Sequence, residues 1–526
     1  MSNLVQVRIY DTTLRDGSQA EGISFSKTDK VRIAEALDNF GVSYIEGGWP
    51  GSNPKDISFF DAAKKIKWKN AKIAAFGSTR RFSNPVEQDD NIKKLLESEA
   101  PAVTIFGKSW LLHVSTVLKI TPEQNIQIIA DSCAYLASHE REVIFDAEHF
   151  FDGYKDDPDY AKEILKTAVK NGAKSVVLCD TNGGTLASQI SAICSDVILS
   201  LPKDIIIGIH CHNDSDLAVA NSISAVEAGI KHVQGTINGY GERCGNTNLC
   251  SIIPALELKM GMKTLLTNNI SKLKELSVFV DDIANVRPNH RLPYVGESSF
   301  AHKGGMHVNA VDKNPITFEH VDPSKIGNKR RILVSDLAGK TNIINKISEH
   351  KLEQLSNEEI VEVLAELKRM ENEGYEYEAA SASFTLLMNK ATKKFKPNFY
   401  LEGYRVIVEK RGHSEPCLTE ATVKVNVDKD LEIMAAEGDG PVNALDKALR
   451  KALERFFPEI SAIRLTDYKV RILEGENSTS AKTRVLIETT DGTSSWSTVG
   501  VSENIIEASW EALVDSVEYF LQKKGK

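Results

Sequence analysis

Paired cysteines are missing from this sequence: its seven Cys are scattered and none forms a Cys-x-x-Cys pair. Reduced thiols in a cytoplasmic protein are the expectation. A surplus of positive charge is missing too. Lys and Arg number 64 against 73 Asp and Glu, a net charge of −9. That speaks against nucleic acid or an anionic membrane as the main partner, while leaving room for a local basic pocket. No apolar run approaches the roughly 20 residues of a membrane span. The opening residues, Met1-Ser2-Asn3-Leu4-Val5-Gln6, show no basic start followed by an apolar stretch, so no signal peptide is predicted. What is present is an ordinary globular balance, 41% hydrophobic and 26% charged. With 526 residues the chain is too long for one ordinary core, and a large domain with smaller ones is predicted.

From residue 5 to about 260, short apolar runs alternate with amphipathic segments. Predicted strands are Val5–Tyr10, Tyr44–Gly47, Lys72–Phe76, Ala102–Phe106, Glu142–Phe145, Ser175–Cys179, Ile205–His210 and Val233–Ile237. Predicted helices lie between them. In Lys30–Phe40, for example, Ile33, Leu37 and Phe40 share one face. Gly41, Gly172 and Gly229 mark helix ends. Eight such alternations in roughly 250 residues predict a closed (β/α)8 barrel over residues 1–264. An open doubly wound sheet is disfavoured, because polar motifs follow nearly every strand, as one rim of loops requires. Residues 265–395 read as a helical linker with a lid segment, including a long charged helix, Asn357–Glu373. Residues 396–526 read as an α+β domain built by a degenerate duplication. Its two halves are the strand at Val423, Val425 and Val427 with the helix Val442–Phe456, and the strand at Val485 and Ile487 with the helix Glu503–Phe520.

The chemistry gathers where strands end. Strand one runs into Asp11-Thr12-Thr13-Leu14-Arg15-Asp16-Gly17. An acid beside an arginine offers a hard metal ligand and a fixed cation for an oxyanion, although a turn with a surface salt bridge would look the same. Strand seven ends in His210-Cys211-His212. Residues two apart on a strand point the same way, so both imidazoles can chelate one divalent metal. Strand eight leads into Gly241-Glu242-Arg243-Cys244-Gly245-Asn246, where Asn246 either supplies an oxygen ligand or caps the next helix. Asp146-Ala147-Glu148-His149 and Asp180-Thr181-Asn182-Gly183 close strands five and six.

Together, the 11–17 segment, the His-x-His pair and the Gly-Glu-Arg-x-Gly-Asn motif at 241–246 resemble the 2-isopropylmalate/homocitrate/citramalate synthase family. Gly305-Met306-His307 is similar to that family's lid, and residues 396–526 to its regulatory domain. Within the family, Glu46-Gly47-Gly48-Trp49-Pro50-Gly51-Ser52-Asn53-Pro54 is most similar to the citramalate branch. The resemblance implies condensation of acetyl-CoA with a 2-oxo acid, pyruvate in that branch. It implies Asp16, His210, His212 and Asn246 as ligands of a divalent metal (magnesium, manganese, cobalt or zinc). It also implies Arg15 at the developing alkoxide and Thr181 at the substrate carboxylate. Glu148 and His307 are the implied acid–base groups, His307 reaching in from the lid of the same chain or a partner's.

One position departs from the pattern. Family members often place a Tyr before the segment matching Glu319-His320-Val321-Asp322-Pro323, and Phe318 stands there, so no hydroxyl is available. Phe76 and Phe106, ending strands three and four, are expected either to shrink the acyl pocket for pyruvate or to be barrel core. Cys244 is read as packing. A homodimer is expected, with isoleucine as effector bound at the glycines before the two C-terminal helices, Gly438, Gly440 and Gly500. Leucine is the rival effector, and a dimerisation module without ligand the alternative. Rival activities are 2-isopropylmalate synthesis and a metal-dependent aldol cleavage on the same barrel.

Overall fold

A computed structural model describes residues 5–303, 305–333, 356–377, 380–391, 395–413, 415–473 and 481–524. Eight parallel strands close into a barrel: β1 Arg8–Asp11, β2 Tyr44–Gly48, β3 Lys72–Ser78, β4 Ala102–Lys108, β5 Glu142–Glu148, β6 Ser175–Asp180, β7 Ile206–Cys211 and β8 His232–Gly235. Closure is made by β1 on β8, with Ile9 opposite Val233 and Asp11 opposite Gly235. A helix follows each strand, and local signals set its ends. Ser26 and Asp29 form a capping box ahead of Lys27–Phe40, and Gly41 ends that helix in the left-handed region at φ 104°. Thr121 and Gln124 do the same at the start of Pro122–Ser138. The main core lies between strands and helices, where Ile33, Leu37, Val103, Phe145 and Leu165 are fully buried. Tyr10, Tyr44, Ile144 and Val177 fill the inside of the barrel.

The differences from expectation are local. The first strand begins at Arg8 rather than Val5, since Val5 is exposed and Val7 N–H donates to Lys263 O instead. The helix after β8 is α-helical over Leu249–Pro254 and continues as π-helix over Ala255–Lys259. Pro254 has no N–H for the i to i−4 ladder. Two short helices, Leu111–His113 and Phe150–Asp156, sit in the loops after β4 and β5 and are too brief to show a helical period.

By internal contacts the chain forms two units, Met1–Phe300 with His320–Arg330, and Ala301–Glu319 with Arg331–Lys526. The second unit contains a parallel pair, β9 Ala301–His302 and β10 Arg331–Ile332, and two three-stranded antiparallel sheets. These are β11 Tyr400–Glu409, β12 Leu418–Val427 and β13 Asp430–Gly438, then β14 Arg464–Ile472, β15 Thr483–Thr490 and β16 Ser495–Ser502. Each sheet is followed by one helix, Pro441–Glu454 or Ile505–Lys524, so a βββα motif occurs twice. Even the register shift in the first strand recurs, between Leu401 and Gly403 and between Leu465 and Asp467. The inward faces of the central strands, Val423, Val425, Val485 and Ile487, share one core with Leu445, Leu449, Leu513 and Phe520. The helices Asn357–Asn372 and Ser381–Ala391 bury Val363, Leu367, Phe384 and Leu387 against Val499 and Val501. The helices before residue 396 thus share a core with β16 after it. Among the described residues no helix is long and apolar enough to cross a membrane.

Candidate active site

The strands of the barrel end around a cavity of about 210 Å³ lined by Arg15, Asp16, Trp49, Phe76, Phe106, Asp146, Glu148, Thr181, His210 and His212. Parallel strands present their C-terminal ends to one rim, so motifs far apart in sequence converge there. Asp16, His210 and His212 each offer a ligand atom, and these atoms lie within 4.8 Å of one another. All three side chains are nearly inaccessible.

Their protonation follows from their neighbours. Burial alone would raise the Asp16 carboxyl, but Arg15 and His210 outweigh it and hold it well below the usual range. Burial disfavours the His210 cation, yet the Asp16 contact, Nε2 to Oδ2 at 3.3 Å, prevails and raises its pKa. Burial and the adjacent His210 push His212 down to about 3, so its imidazole is neutral. His210 Nδ1 lies 2.8 Å from Gln234 Oε1, and Gln234 Nε2 donates to Asp146 Oδ1 at 3.1 Å. This chain fixes the ring with Nε2 toward Asp16.

Asn246 joins the set through a β-bridge to His212, and its Nδ2 donates to Tyr240 O at 3.0 Å. Its Oδ1 and the His212 Nδ1 are buried, and among the described residues neither has a hydrogen-bond partner. Buried polar atoms are otherwise satisfied in folded proteins. An orphan amide oxygen and a neutral imidazole beside an ionised carboxylate and an oriented imidazole fit a divalent cation.

Arg15 faces the same cavity. Its Nε donates to the fully buried Glu46 Oε1 at 2.5 Å, and its guanidinium carbon lies 3.7 Å from the Phe76 ring centroid. Tyr10 OH donates to the other Glu46 oxygen at 2.7 Å and shares a hydrogen bond with Thr104. Glu148 is ion-paired with Lys108. Thr181 Oγ1 accepts the His149 N–H at 2.9 Å, so its own proton is left to donate elsewhere. His149 sits at φ 57°, a conformation sparsely populated by non-glycine residues and concentrated at functional sites. Sequence reasoning took Glu46 and Trp49 only as part of the 46–54 segment, without a role in the site, and did not single out Gln234. Their signal was a polar or bulky residue at the rim end of a strand or just beyond it.

Residues 6–280 match the HMGL-like family profile, 294–375 the homocitrate synthase post-HMGL domain-like profile, and 378–521 the LeuA allosteric (dimerisation) domain. The chain is 54% identical to an (R)-citramalate synthase of Aquifex aeolicus over 98% of both chains, and 53% identical to that of Geobacter sulfurreducens, again over 98% of each. A probable 2-isopropylmalate synthase of Methanopyrus kandleri is 30% identical over 99% of both. The chain belongs to the citramalate synthase family.

In this family member the remaining expected site residues lie in the second unit. His307 is exposed on the helix Gly305–Lys313, and its ring stacks on Phe318 with centroids 4.0 Å apart. The residue that departs from the family pattern thus touches the expected acid–base group. Gly440 caps the helix Pro441–Glu454 in extended conformation and opens on an apolar cavity of about 360 Å³ lined also by Val442, Asn443, Asp446, Leu465 and Tyr468. Gly438 ends β13. Gly500 stands five residues before its helix, Ile505–Lys524, rather than at its cap. It lies within β16, where an added Cβ would come 2.0 Å from Ala508 O, so it is glycine for close strand–helix packing.

Proposed function

We propose that this chain is an (R)-citramalate synthase, joining the acetyl group of acetyl-CoA to pyruvate with release of CoA by water. The observation that carries this is identity above 50% to curated (R)-citramalate synthases along nearly the whole chain, against 30% for a 2-isopropylmalate synthase. Asp16, His210, His212 and Asn246 would hold magnesium, manganese, cobalt or zinc, which when bound supplies a Lewis acid for the 2-oxo group. Thr181 donates a hydrogen bond to the pyruvate carboxylate. Glu148 takes the proton from the acetyl methyl group, and that carbon forms the new bond to pyruvate C2. Arg15, fixed by Glu46, presents its charge to the oxygen that becomes an alkoxide. His307 is the second acid–base group, serving proton return and thioester hydrolysis. Phe76 and Phe106 line the acceptor pocket. The proposal extends to a cytoplasmic homodimer with a catalytic module (1–264), a lid and linker (265–395) and a regulatory module (396–526).

Regulation is the second part of the reading. Isoleucine is proposed to bind at the apolar cavity beside Gly440, with Gly438 shaping the turn, its carboxylate at the helix N-terminus and its branched side chain near Leu465 and Val442. The test of the activity is CoA thiol release from acetyl-CoA with pyruvate, 2-oxobutanoate and 2-oxoisovalerate. Pyruvate should give the highest kcat/KM. A higher value with 2-oxoisovalerate overturns the assignment.

A further inference from the structure

Trp49 stands just past the end of β2 and lines the barrel cavity beside Arg15, Phe76 and Phe106. Its indole meets both phenylalanine rings edge-on, at 5.8 Å and 85° for Phe76 and 5.6 Å and 83° for Phe106. The two phenylalanines stack on each other at 5.5 Å and 21°. These three rings do not have equivalent tasks. A face of Phe76 is taken by the Arg15 guanidinium, a cation–π contact that fixes the charge. Trp49 carries no such duty and is itself clamped. Its Nε1–H donates to Asn91 Oδ1 at 2.7 Å, and its backbone N–H donates to Asp56 Oδ2 at 2.8 Å. Asn91 in turn donates to Ser78 O at the end of β3, the strand that carries Phe76. Asp56 is ion-paired with the buried Lys30, which also donates to Gly47 O at 3.1 Å. Gly51 leaves room for the indole hydrogen bond, since a Cβ there would lie 2.9 Å from Asn91 Oδ1 and 3.2 Å from Trp49 Nε1.

We propose that Trp49 is the residue that sets the size limit on the acceptor's side chain, and that Phe76 acts instead as a positioning residue for Arg15. The inference rests on the reading of the cavity as a 2-oxo acid site. An indole held at its nitrogen by Asn91 and flanked by two rings, on a backbone tied to Asp56, cannot swing aside for a longer chain, so each added methylene meets a rigid wall.

The experiment compares kcat/KM for pyruvate, 2-oxobutanoate and 2-oxoisovalerate in the full-length wild type, Trp49→Leu, Trp49→Phe and Phe76→Leu. Trp49→Leu should raise the 2-oxobutanoate to pyruvate ratio by about tenfold, the scale on which a hydrophobic pocket counts one methylene. Trp49→Phe keeps an aromatic packing partner and should shift the ratio the same way by less. Phe76→Leu should lower kcat for all three acids by a common factor while leaving their ratios unchanged. The proposal is overturned if both Trp49 variants keep the wild-type ratio, or if Phe76→Leu moves the ratio as far as Trp49→Leu. A wild type that prefers 2-oxoisovalerate defeats the pyruvate assignment alone. The size limit is then judged by whether the Trp49 variants still shift the ratio toward larger acids.

Discussion

His210 and His212 differ in what holds them, and the difference sorts the consequences of losing each group. His210 is fixed by Gln234 on one nitrogen and Asp16 on the other, so His210→Ala removes a ligand and leaves the Asp16 carboxylate buried beside an empty space. Turnover and retention of divalent metal after desalting should both be lost. His307→Ala should retain metal and pyruvate binding while kcat falls by about 10²-fold, the scale of a missing acid–base group. Equal loss of metal from both variants would contradict the division of roles. Asp11 offers a separate test, through pH. Burial pushes its carboxyl up to about 7, with Glu46 adding to the effect and hydrogen bonds from Thr13 opposing it. Its folded pKa thus lies above the unfolded one, so its contribution to stability is present at low pH and lost as pH rises through about 7. Asp11→Asn should match wild type only below about pH 4, where the unfolded carboxyl is protonated too, and should gain on it as pH rises from there to about 7. At pH 8.5 it should be more stable by on the order of 2–4 kcal/mol, measured by thermal or urea unfolding. A difference that does not grow with pH would show that Asp11 is not the titrating group.

Strands and loops were not equally legible. The barrel strands read clearly because they are buried on both faces, giving unbroken apolar runs such as Val176, Val177 and Leu178 between helices with capping signals. The metal set was legible for a related reason: His-x-His at a strand end needs only the two-residue repeat to be recognised. Strands β11, β13, β14 and β16 were not expected. β11, β13 and β14 are edge strands carrying exposed charges such as Arg405, Glu437 and Lys469, so no apolar alternation marks them. That error misplaced Gly500, which belongs to a strand rather than to a helix entry. Gly440 is different. Nothing lies within 4 Å of a Cβ there and its φ is −169°, so Gly440→Asp is accommodated and supplies a favourable helix cap. The same carboxylate opposes that of a bound amino acid. Half-inhibition by isoleucine should require on the order of tenfold more effector, with the Tm unchanged or raised. An unaltered isoleucine response would exclude this cavity as the effector site.

At the scale of the whole molecule, the helices Asn357–Asn372 and Ser381–Ala391 share buried contacts with Val499 and Val501. A chain ending at residue 395 would therefore expose Val363, Leu367, Phe384 and Leu387 to water. Such a truncation is expected to elute as aggregate in size-exclusion chromatography rather than as a discrete species. A discrete, active species lacking only amino-acid control would show that the linker helices are independent. The path of the chain has a further consequence. It leaves the barrel unit at residue 301, returns at 320 and departs again at 331, taking the helix of His307 with the second unit. A regulatory cassette gained by a single recombination event would sit as an uninterrupted tail after its host. Here the segment bearing His307 is interleaved with the barrel's own sequence. Exchanging control modules between relatives would thus need three splice points, before residue 301, after 319 and before 331, or would separate the regulatory core from the helix that belongs with it.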